Sequence, residues 1–446
     1  MANLFGHSVR WELLILYVTE TIASFLTALL ILGWGASLAA DRAILMASAI
    51  GLCSGVISGA CGLYQPEALQ RLGRLLLRAL VAGAILLLLG LPLISVLSAG
   101  HIERYRVALL AGFAAAIVLT RLLLSVVARR GLMRQRAVMV HAGHASALGA
   151  GDAIAIGFGA EDEAVEVIAT VRPGERLEEA LAPERLRALR VRTVILADAV
   201  ALDPDLRRRC RAAGVRVYDE TEFRELRLAR VETHRLRPGW LGEARAVRAG
   251  AAEVALHRAV DIAAGLVLLL LTLPLLLVTA LAIKLDSPGP VFYRQERVGR
   301  GGRPFTLYKF RSMATDAERG GSPVWATRRD PRVTRIGRFI RLTRIDEIPQ
   351  VLNVLRGDMA FVGPRPERPA FVEQLRRVIP HYEDRHVVKP GITGWAQVNF
   401  PYGASIEDAR MKLSYDLYYV RRRSLFLDLL ILVATVRGVL FQEGSR

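Results

Sequence analysis

Two adjacent carboxylates, Asp346 and Glu347, have the chemistry and the setting to act on a phosphate group. Pro349 fits the first turn of a helix and Gly357 fits its end, so both carboxylates are predicted at or just before a helix N-terminus. Backbone N–H groups without partners favour anions there, and an aspartate in such a place can attack phosphorus. Taken alone, however, an Asp-Glu pair at a helix start more often only complements the helix dipole, so the neighbouring residues decide the interpretation.

Basic residues near the pair would relieve the repulsion between a carboxylate and a phosphate. Arg338, Arg341 and Arg344 precede the carboxylates along the chain. A divalent cation shared by carboxylate and phosphate oxygens would act in the same direction. Lys309 and Arg311 alternate with aromatic residues, which predicts a strand with one cationic face. A merely solvated face is an equally good interpretation of that strand.

The remaining sequence must position these groups, and its composition points to a membrane. The 446 residues exceed one ordinary domain, 52% of them are hydrophobic, and the mean hydropathy is +0.32. The net charge of +18 would suit nucleic acid, but beside long apolar segments it favours an anionic membrane surface and phosphate ligands. Arginines after the second and fourth segments predict that both ends of this module face the cytoplasm. Four segments are long enough to cross a bilayer, namely residues 13–35, 43–64, 75–97 and 107–128.

A polar middle region follows, in which short β-rich runs alternate with helical stretches. This rhythm predicts a Rossmann-like α/β domain with a parallel sheet. After its first strand, where a dinucleotide fold would have G-x-G-x-x-G, the chain reads His-Ala-Gly-His-Ala at 141–145. The degenerate fingerprint predicts a domain without a cofactor. The β-rich runs are residues 137–140, 165–169, 193–196 and 215–218.

A fifth apolar run, residues 259–283, is predicted to enter and leave the membrane on the same side. Arg258 and Lys284 place basic residues at both ends, and Pro274 would bend a helix in its middle. A straight membrane span and a buried core helix are the alternatives. The apolar C-terminal run, residues 425–441, is interrupted by charges and predicts a helix on the membrane interface.

Five motifs give the second half of the chain a specific resemblance. They are residues 286–299, 305–313, 343–358, 362–367 and 389–398. With them the chain resembles the bacterial sugar transferase family, the monotopic phosphoglycosyltransferases, from about Leu256 onward. The whole order is similar to large exopolysaccharide-type members. The expected architecture is a four-helix transmembrane bundle (1–134), a cytoplasmic Rossmann-like α/β domain (135–243), and an α-rich catalytic domain (254–446) with a re-entrant membrane helix (259–283).

The resemblance implies a reaction and a set of roles. Asp346 would be the nucleophile on the β-phosphate of a UDP-sugar, with Glu347 as its dyad partner and Mg²⁺ bound at Asp346. The sugar-1-phosphate would pass through a covalent aspartyl intermediate to undecaprenyl phosphate, with release of UMP. The enzyme would begin exopolysaccharide assembly in the bacterial inner membrane, with its catalytic domain on the cytoplasmic face. Residues expected to contact substrate are Lys309, Arg311, Arg338, Arg341, Arg365, Glu367, Gln397 and Asp416.

Several points stay open within this resemblance. The proline turn around Arg365 would meet phosphate or serve only as a turn stabilised by a salt bridge. Asp416 lies in an aromatic segment that would simply pack. At the helix break the family usually has Ser-Pro, whereas this chain has Leu273-Pro274, and Thr272 is the candidate to supply the missing hydroxyl. Glucose or galactose is the sugar suggested by the larger members, with N-acetylated sugars as the alternative.

Two other functions compete with a sugar transferase. A membrane-anchored nucleotide-sugar dehydratase needs an intact glycine fingerprint and a Tyr-x-x-x-Lys pair, and the middle region has neither. A noncatalytic scaffold would explain the apolar segments but not the clustered acidic and basic residues. The middle domain is expected to have an assembly role, for example in holding a homodimer, and no nucleic-acid partner is expected.

Overall fold

The computed structural model of the protein describes most of the chain. It shows helices in the apolar segments, a parallel sheet in the middle region, and a mixed set of short strands and helices after residue 286. The described residues are 2–4, 7–9, 11–35, 40–64, 72–90, 92, 105–129, 135–140, 165–171, 177–197, 200, 202–236, 238–315, 332–400, 403 and 405–441.

The chain forms two compact units. One contains residues 8–52 and 93–229, and the other contains residues 2–7, 53–92 and 230–446. The domain boundaries near residues 134 and 254 remain predictions from composition. Each unit is described below by itself.

Helices occupy most of the described residues of all four predicted spans. After short strands β1 (Ala2–Leu4) and β2 (His7–Val9), they are α1 (Trp11–Gly35), α2 (Ala40–Ala60), α3 (Leu72–Ile85) with a π-helical turn (Leu86–Gly90), and α4 (Arg106–Arg129). Residues 14–33 and 40–60 are long and apolar enough to span a membrane, while 75–88 and 107–121 are shorter apolar helices. Most of 91–104, which includes the end of the third predicted span, lies outside the described residues, as do Arg71, Arg130 and Arg134.

Helices α1 and α4 pack closely against one another. Gly112 of α4 faces the side chain of Thr27, where a Cβ atom would clash. Deeper in this contact, Arg121 Nη1 lies 2.8 Å from Glu20 Oε2, and these side chains are 8% and 0% exposed. A buried ion pair in apolar helices is costly unless its partners meet, so the pair fixes which faces of α1 and α4 are in contact.

The predicted parallel sheet of the middle region is confirmed. Its strands are β3 (Gln135–Val140), β4 (Val165–Val171), β5 (Val191–Leu196) and β6 (Arg216–Asp219), in the order β4-β3-β5-β6. Val138, Val194 and Leu196 are buried in a core with the flanking helices, as expected for strands covered on both faces. Residues 141–150, which hold the degenerate fingerprint, lie outside the described residues. The flanking helices are α5 (Leu177–Ala180), α6 (Pro183–Ala188), α7 (Pro204–Ala212) and α8 (Glu220–Leu228).

Short helices α9 (Trp240–Glu243) and α10 (Arg245–Arg248) lead into a 36-residue helix, α11 (Ala251–Asp286). It continues through Pro274, and its middle is exposed. Both of its ends contact the same compact unit: Arg258 donates to the carbonyls of Val354 and Leu355, and Ile283 packs against Phe310. The hydroxyl of Thr272 donates to Leu268 O at 2.7 Å. It therefore does not replace the hydrogen bond to Leu270 that Pro274 cannot make.

The remaining elements form the catalytic region. β7 (Phe292–Val298) pairs with β8 (Pro304–Phe310) in an antiparallel hairpin, and β9 (Ala360–Val362) pairs with β10 (Gly391–Thr393) in parallel. The 3₁₀ helices are Ile345–Gln350 and Tyr382–Val387. The α-helices are α12 (Arg335–Leu342), α13 (Val351–Arg356), α14 (Pro369–Val378), α15 (Trp395–Asn399), α16 (Ile406–Arg422) and α17 (Leu425–Phe441).

Candidate active site

The carboxylate pair lies in a 3₁₀ helix that begins after a strained turn. Thr334 is the N-cap of helix α12, and its hydroxyl accepts from Gly337 N at 2.9 Å. Gly337 packs against Ser312 O so closely that a Cβ atom would clash there. The chain then reverses at Arg344, which has a left-handed backbone (φ 60°). Such a conformation costs a non-glycine residue of order 1–3 kcal/mol and often marks a functional site.

Asp346 and Glu347 occupy the first turn of this 3₁₀ helix, as the sequence predicts, although the α-helix proper starts only at Val351. Glu347 Oε1 lies 2.7 Å from Lys309 Nζ and 3.3 Å from Arg365 Nη2. Asp346 is 8% exposed, and its Oδ1 atom is buried without a hydrogen-bond partner. Glu347 thus pairs with two cations through Oε1, whereas Asp346 keeps an oxygen without a hydrogen-bond partner.

The two carboxyl groups have very different acidities. Burial, followed by the negative charge of Glu347, raises the pKa of Asp346 to about 6. Burial alone would also raise the pKa of Glu347, but Lys309 and Arg365 outweigh it, so this pKa lies below its ordinary value. Burial lowers the pKa of Lys309, and Glu347 opposes that shift. Neighbouring titratable groups whose environments separate their pKa values are typical of sites that divide chemical roles.

Lys309 is held in place by a buried amide. Asn353, which is 0% exposed, accepts from Tyr308 N at 3.1 Å and donates to Thr306 O at 2.7 Å. These two bonds tie α13 to strand β8 on the side of Lys309. Asn353 lies inside the chain's longest motif but carries no charge, so sequence patterns did not single it out.

The turn around Arg365 is fixed by backbone and side-chain contacts. Gly391 N donates to Pro364 O at 3.0 Å, and Gly363 N donates to Thr393 O at 2.9 Å. Arg385 Nη2 donates to Arg365 O at 2.9 Å. The turn therefore brings the Arg365 guanidinium to Glu347.

Asp416 forms a buried ion pair with Arg385, at 2.8 Å between Oδ2 and Nη2. Burial raises the pKa of Asp416 to about 6 despite the neighbouring cation. Arg385 also donates to Tyr382 OH at 2.9 Å. Asp416 thus orients Arg385, whose guanidinium holds the backbone of the Arg365 turn. No spacing rule connects residues 365, 385 and 416, so the sequence did not single out Arg385.

The other sequence-predicted residues are dispersed. The guanidinium of Arg311 donates to Ile283, Ser287 and Pro288, at the end of α11 and in the turn after it. Arg311 therefore caps that helix. Gln397 Nε2 donates to Ile392 O at 3.1 Å. The charge of Arg341 acts on Asp346. Arg338 is exposed, and Glu367 Oε2 lies 3.8 Å from Arg297.

Two histidines near the site have structural contacts. His381 Nδ1 lies 3.0 Å from Asp384 Oδ2, which also accepts from Trp240 at 3.1 Å. The ring of His386 meets the edge of the Tyr382 ring at 6.4 Å. Within the described residues, no group of three or more His, Cys, Asp or Glu side chains is placed to hold a metal ion. A metal at this site would therefore rely on one or two carboxylates together with substrate oxygens.

The second half of the chain matches a known protein family. The family model described as "Bacterial sugar transferase" matches residues 252–442. A UDP-glucose:undecaprenyl-phosphate glucose-1-phosphate transferase of Caulobacter vibrioides is 46% identical over 190 residues, which cover 42% of this chain and 71% of the relative. The chain belongs to the bacterial sugar transferase family.

Two longer relatives are matched over a smaller share of their own length. A UDP-N-acetylgalactosamine-undecaprenyl-phosphate N-acetylgalactosaminephosphotransferase of Aeromonas hydrophila is 45% identical over 238 residues, 53% of this chain and 55% of the relative. A UDP-glucose:undecaprenyl-phosphate glucose-1-phosphate transferase of Xanthomonas campestris is 49% identical over 174 residues, 39% of this chain and 36% of the relative. The chain thus matches about a third to a half of the length of these two relatives.

Proposed function

We propose that this chain transfers a sugar 1-phosphate from a UDP-sugar to undecaprenyl phosphate and releases UMP. The observation that carries the proposal is the asymmetric carboxylate pair. Asp346 is buried with an uncommitted oxygen, and the charge of Glu347 beside it is neutralised by Lys309 and Arg365. The names of the three relatives describe the same class of reaction.

In the first step, a carboxylate oxygen of Asp346 forms a bond to the β-phosphorus of the UDP-sugar. The bond from that phosphorus to the oxygen bridging the α-phosphate breaks, and UMP leaves with the bridging oxygen and its electron pair. The protein then carries an aspartyl phosphosugar. The pKa of Asp346 near 6 suits this role, because the group is ionised at neutral pH and yet more basic than an ordinary aspartate.

In the second step, a phosphate oxygen of undecaprenyl phosphate attacks the phosphorus of the aspartyl phosphosugar. The bond between the Asp346 oxygen and phosphorus breaks, which regenerates the carboxylate and gives undecaprenyl diphosphate sugar. Each step forms one P–O bond and breaks one, so no oxidant or reductant is needed. Lys309 and Arg365 supply fixed positive charge where the phosphoryl oxygens gather negative charge.

Mg²⁺ fits this site as the cofactor. The uncommitted Oδ1 of Asp346 is a hard oxygen donor, and Mg²⁺ is usually held by one or two carboxylates together with phosphates and waters. Asp346 would hold it, and when bound it would neutralise charge on the phosphoryl group. The protein's own cations near Asp346, Lys309 and Arg341, act in the same direction.

The membrane arrangement is part of the proposal. Three described helices, residues 14–33, 40–60 and 251–286, are long and apolar enough to cross a bilayer. Because both ends of α11 contact the same compact unit, we place α11 as a re-entrant helix and not as a straight span. The catalytic region then lies on the cytoplasmic face of the inner membrane, where the reaction would begin exopolysaccharide assembly. A four-helix transmembrane bundle, a Rossmann-like middle domain and a homodimer complete the proposed arrangement.

The reaction is tested by product analysis with purified full-length protein. The protein is incubated with Mg²⁺, undecaprenyl phosphate and, in turn, UDP-glucose, UDP-galactose and UDP-N-acetylgalactosamine. We expect UMP from one donor with the wild type and none with Asp346→Asn, which is nearly isosteric but not nucleophilic. Glu243→Gln, which removes one carboxylate elsewhere in the same unit, is the matched control and should retain activity. UDP as the product would refute the proposed chemistry.

The re-entrant arrangement is tested by cysteine labelling in cells. Val247→Cys and Lys284→Cys, at exposed positions near the two ends of α11, are introduced separately after Cys53, Cys61 and Cys210 are replaced by Ala. A membrane-impermeant maleimide should label both variants only after the inner membrane is permeabilised. Labelling of Lys284→Cys in intact spheroplasts would mean that α11 crosses the membrane.

A further inference from the structure

A small cavity beside the carboxylate pair is lined by hydrogen-bond donors that the steps above do not use. It has a volume of about 10 Å³, enough for one water-sized group. Arg297, Lys309, Gln350 and Arg365 line it, and Leu307 and Pro366 contribute apolar wall. A phosphate oxygen is small enough for this cavity, and its negative charge suits the donors that line it.

Gln350 is the residue that points to a ligand. Its side chain is only 3% exposed and makes no hydrogen bond to any residue in the described part of the chain. An amide that is largely removed from solvent and has no protein partner is rarely kept unless water or a ligand satisfies it. Gln350 lies three residues after Glu347, at the end of the same 3₁₀ helix.

Arg297 adds a second unsatisfied donor. Its Nη1 donates to Pro366 O at 3.0 Å and its Nη2 to Gln295 Oε1 at 2.6 Å, while its Nε is buried and has no acceptor. Its Nη1 also lies 3.8 Å from Glu367 Oε2. The guanidinium thus keeps donor capacity that the protein itself does not fill.

The charge around the cavity favours an anion. Three cations, Arg297, Lys309 and Arg365, line it. The carboxylates paired with them are Glu347, which takes Lys309 and Arg365, and Glu367, which takes Arg297. Three cationic side chains thus share the cavity wall with the amide of Gln350.

We propose that Gln350 and Arg297, together with Lys309 and Arg365, form an oxyanion pocket that binds one phosphate oxygen of a substrate. The identity of that substrate rests on the proposed function, and two sources share the chemistry. One is the diphosphate of the nucleotide sugar, and the other is the phosphate of the polyprenyl carrier. In either case Gln350 contacts substrate and helps to set the phosphorus next to Asp346.

The test replaces Gln350 and follows each substrate separately. Gln350→Met keeps the volume but removes the amide, and Gln350→Glu adds a negative charge at the pocket. Since Gln350 has no hydrogen-bond partner among the described residues, Gln350→Met should fold with an unchanged thermal midpoint. Gln374→Met and Gln374→Glu, the same changes at an exposed position of α14, are the matched controls.

The kinetic arms distinguish the two sources of phosphate. UMP released from the UDP-sugar without lipid reports on the donor, and the dependence of turnover on undecaprenyl phosphate concentration reports on the acceptor. A hydrogen bond to a charged group predicts a fall of about 10- to 100-fold in kcat/KM for the substrate that occupies the pocket. Gln350→Glu should lose more than Gln350→Met, because it repels the phosphate. Loss in the donor arm assigns the pocket to the diphosphate, and loss confined to the acceptor arm assigns it to the lipid phosphate.

A binding arm separates failure of this inference from failure of the proposed function. Inorganic phosphate at millimolar concentration should raise the thermal midpoint of the wild type and of both Gln374 variants, but not that of Gln350→Glu. If the wild type releases no UMP with any donor, the proposed function fails, and this comparison still decides whether the pocket binds an oxyanion. Equal phosphate shifts for all proteins, or kinetics of both Gln350 variants equal to those of the controls, would overturn the inference.

Discussion

The buried ion pair of Arg385 and Asp416 can be tested separately from the reaction chemistry, because it stabilises the Arg365 turn and is not part of the carboxylate pair. Arg385→Met removes the ion pair with Asp416 at 2.8 Å and the bonds to Tyr382 OH and Arg365 O, each at 2.9 Å. The variant leaves the Asp416 carboxylate buried without its cation. We expect a large loss of stability and, through Arg365, a loss of activity.

The size of the effect follows from the burial of both partners, whose side chains are 6% and 2% exposed. Removing one member of such a pair costs about 3–5 kcal/mol, since the remaining charge loses its compensation. For a unit of this size, each kcal/mol lowers the thermal midpoint by about 2–4 °C. Arg385→Met and Asp416→Leu should therefore each lower the midpoint by about 6–20 °C. The double variant should recover much of this loss, because it leaves no buried charge behind.

The stability assay is a double-mutant cycle in detergent, read by thermal unfolding of the wild type, the two single variants and the double variant. A coupling energy of about 1–3 kcal/mol is expected for groups in direct contact. Arg376→Met, which removes an exposed guanidinium on α14 that pairs with Glu373 and Glu383, is the matched control. It should change the midpoint little, because exposed ion pairs contribute little to stability.

Kinetics then show whether Arg385 acts through Arg365. UMP release is compared for Arg385→Met, Arg365→Met and the double variant at a temperature at which all are folded. If Arg385 only positions the turn, the double variant should be no worse than Arg365→Met alone. Additive losses in kcat/KM, or a coupling energy below about 0.5 kcal/mol between Arg385 and Asp416 in the stability cycle, would refute the reasoning.

Three further predictions concern other ionisable side chains. Lys309→Met should lower kcat/KM for UMP release by at least about 100-fold, because Glu347 loses its closest partner, while Lys309→Arg should lose less; equal activities would contradict this. Arg121→Leu should lower the thermal midpoint more than Glu20→Leu/Arg121→Leu, since only the single variant leaves a buried carboxylate unpaired. Burial lowers the pKa of His386 to about 3, below the value near 6.5 of an unfolded histidine, so its contribution to stability is present above pH 6.5 and is lost as the pH falls toward 3. His386→Gln should remove on the order of 2–4 kcal/mol of this acid destabilisation, and parallel midpoints of wild type and variant between pH 7.5 and 4.5 would exclude it.

Local patterns predicted several elements because the responsible forces are local. The α/β rhythm predicted the parallel sheet, and Gly357 predicted the end of α13, where it adopts φ 97°. The pairing of Lys309 with the dyad could be anticipated only in part. A strand with one cationic face puts Lys309 and Arg311 on one side, but the tertiary fold takes Lys309 to Glu347 and Arg311 to the end of α11.

Sequence patterns could not predict the tertiary contacts of uncharged residues or of residues far apart in the chain. Asn353 is important because its buried side chain bonds to both Tyr308 N and Thr306 O. Its residue type alone does not predict these contacts. Gln350 has no protein partner at all within the described residues, so only its burial beside a cavity gives it significance. Both follow from packing of the 3₁₀ helix and α13 on strand β8.

The dyad shows why adjacent carboxylates need distant segments to become different. Asp346 and Glu347 follow one another in the chain, so no local feature could neutralise one and leave the other basic. The difference arises because Lys309 comes from strand β8 and Arg365 from a turn fixed by Arg385, and both converge on Glu347. The left-handed backbone of Arg344 lies directly before the 3₁₀ helix that carries both carboxylates. Its strain of order 1–3 kcal/mol is small beside the burial energies around it, which is why the fold can hold it.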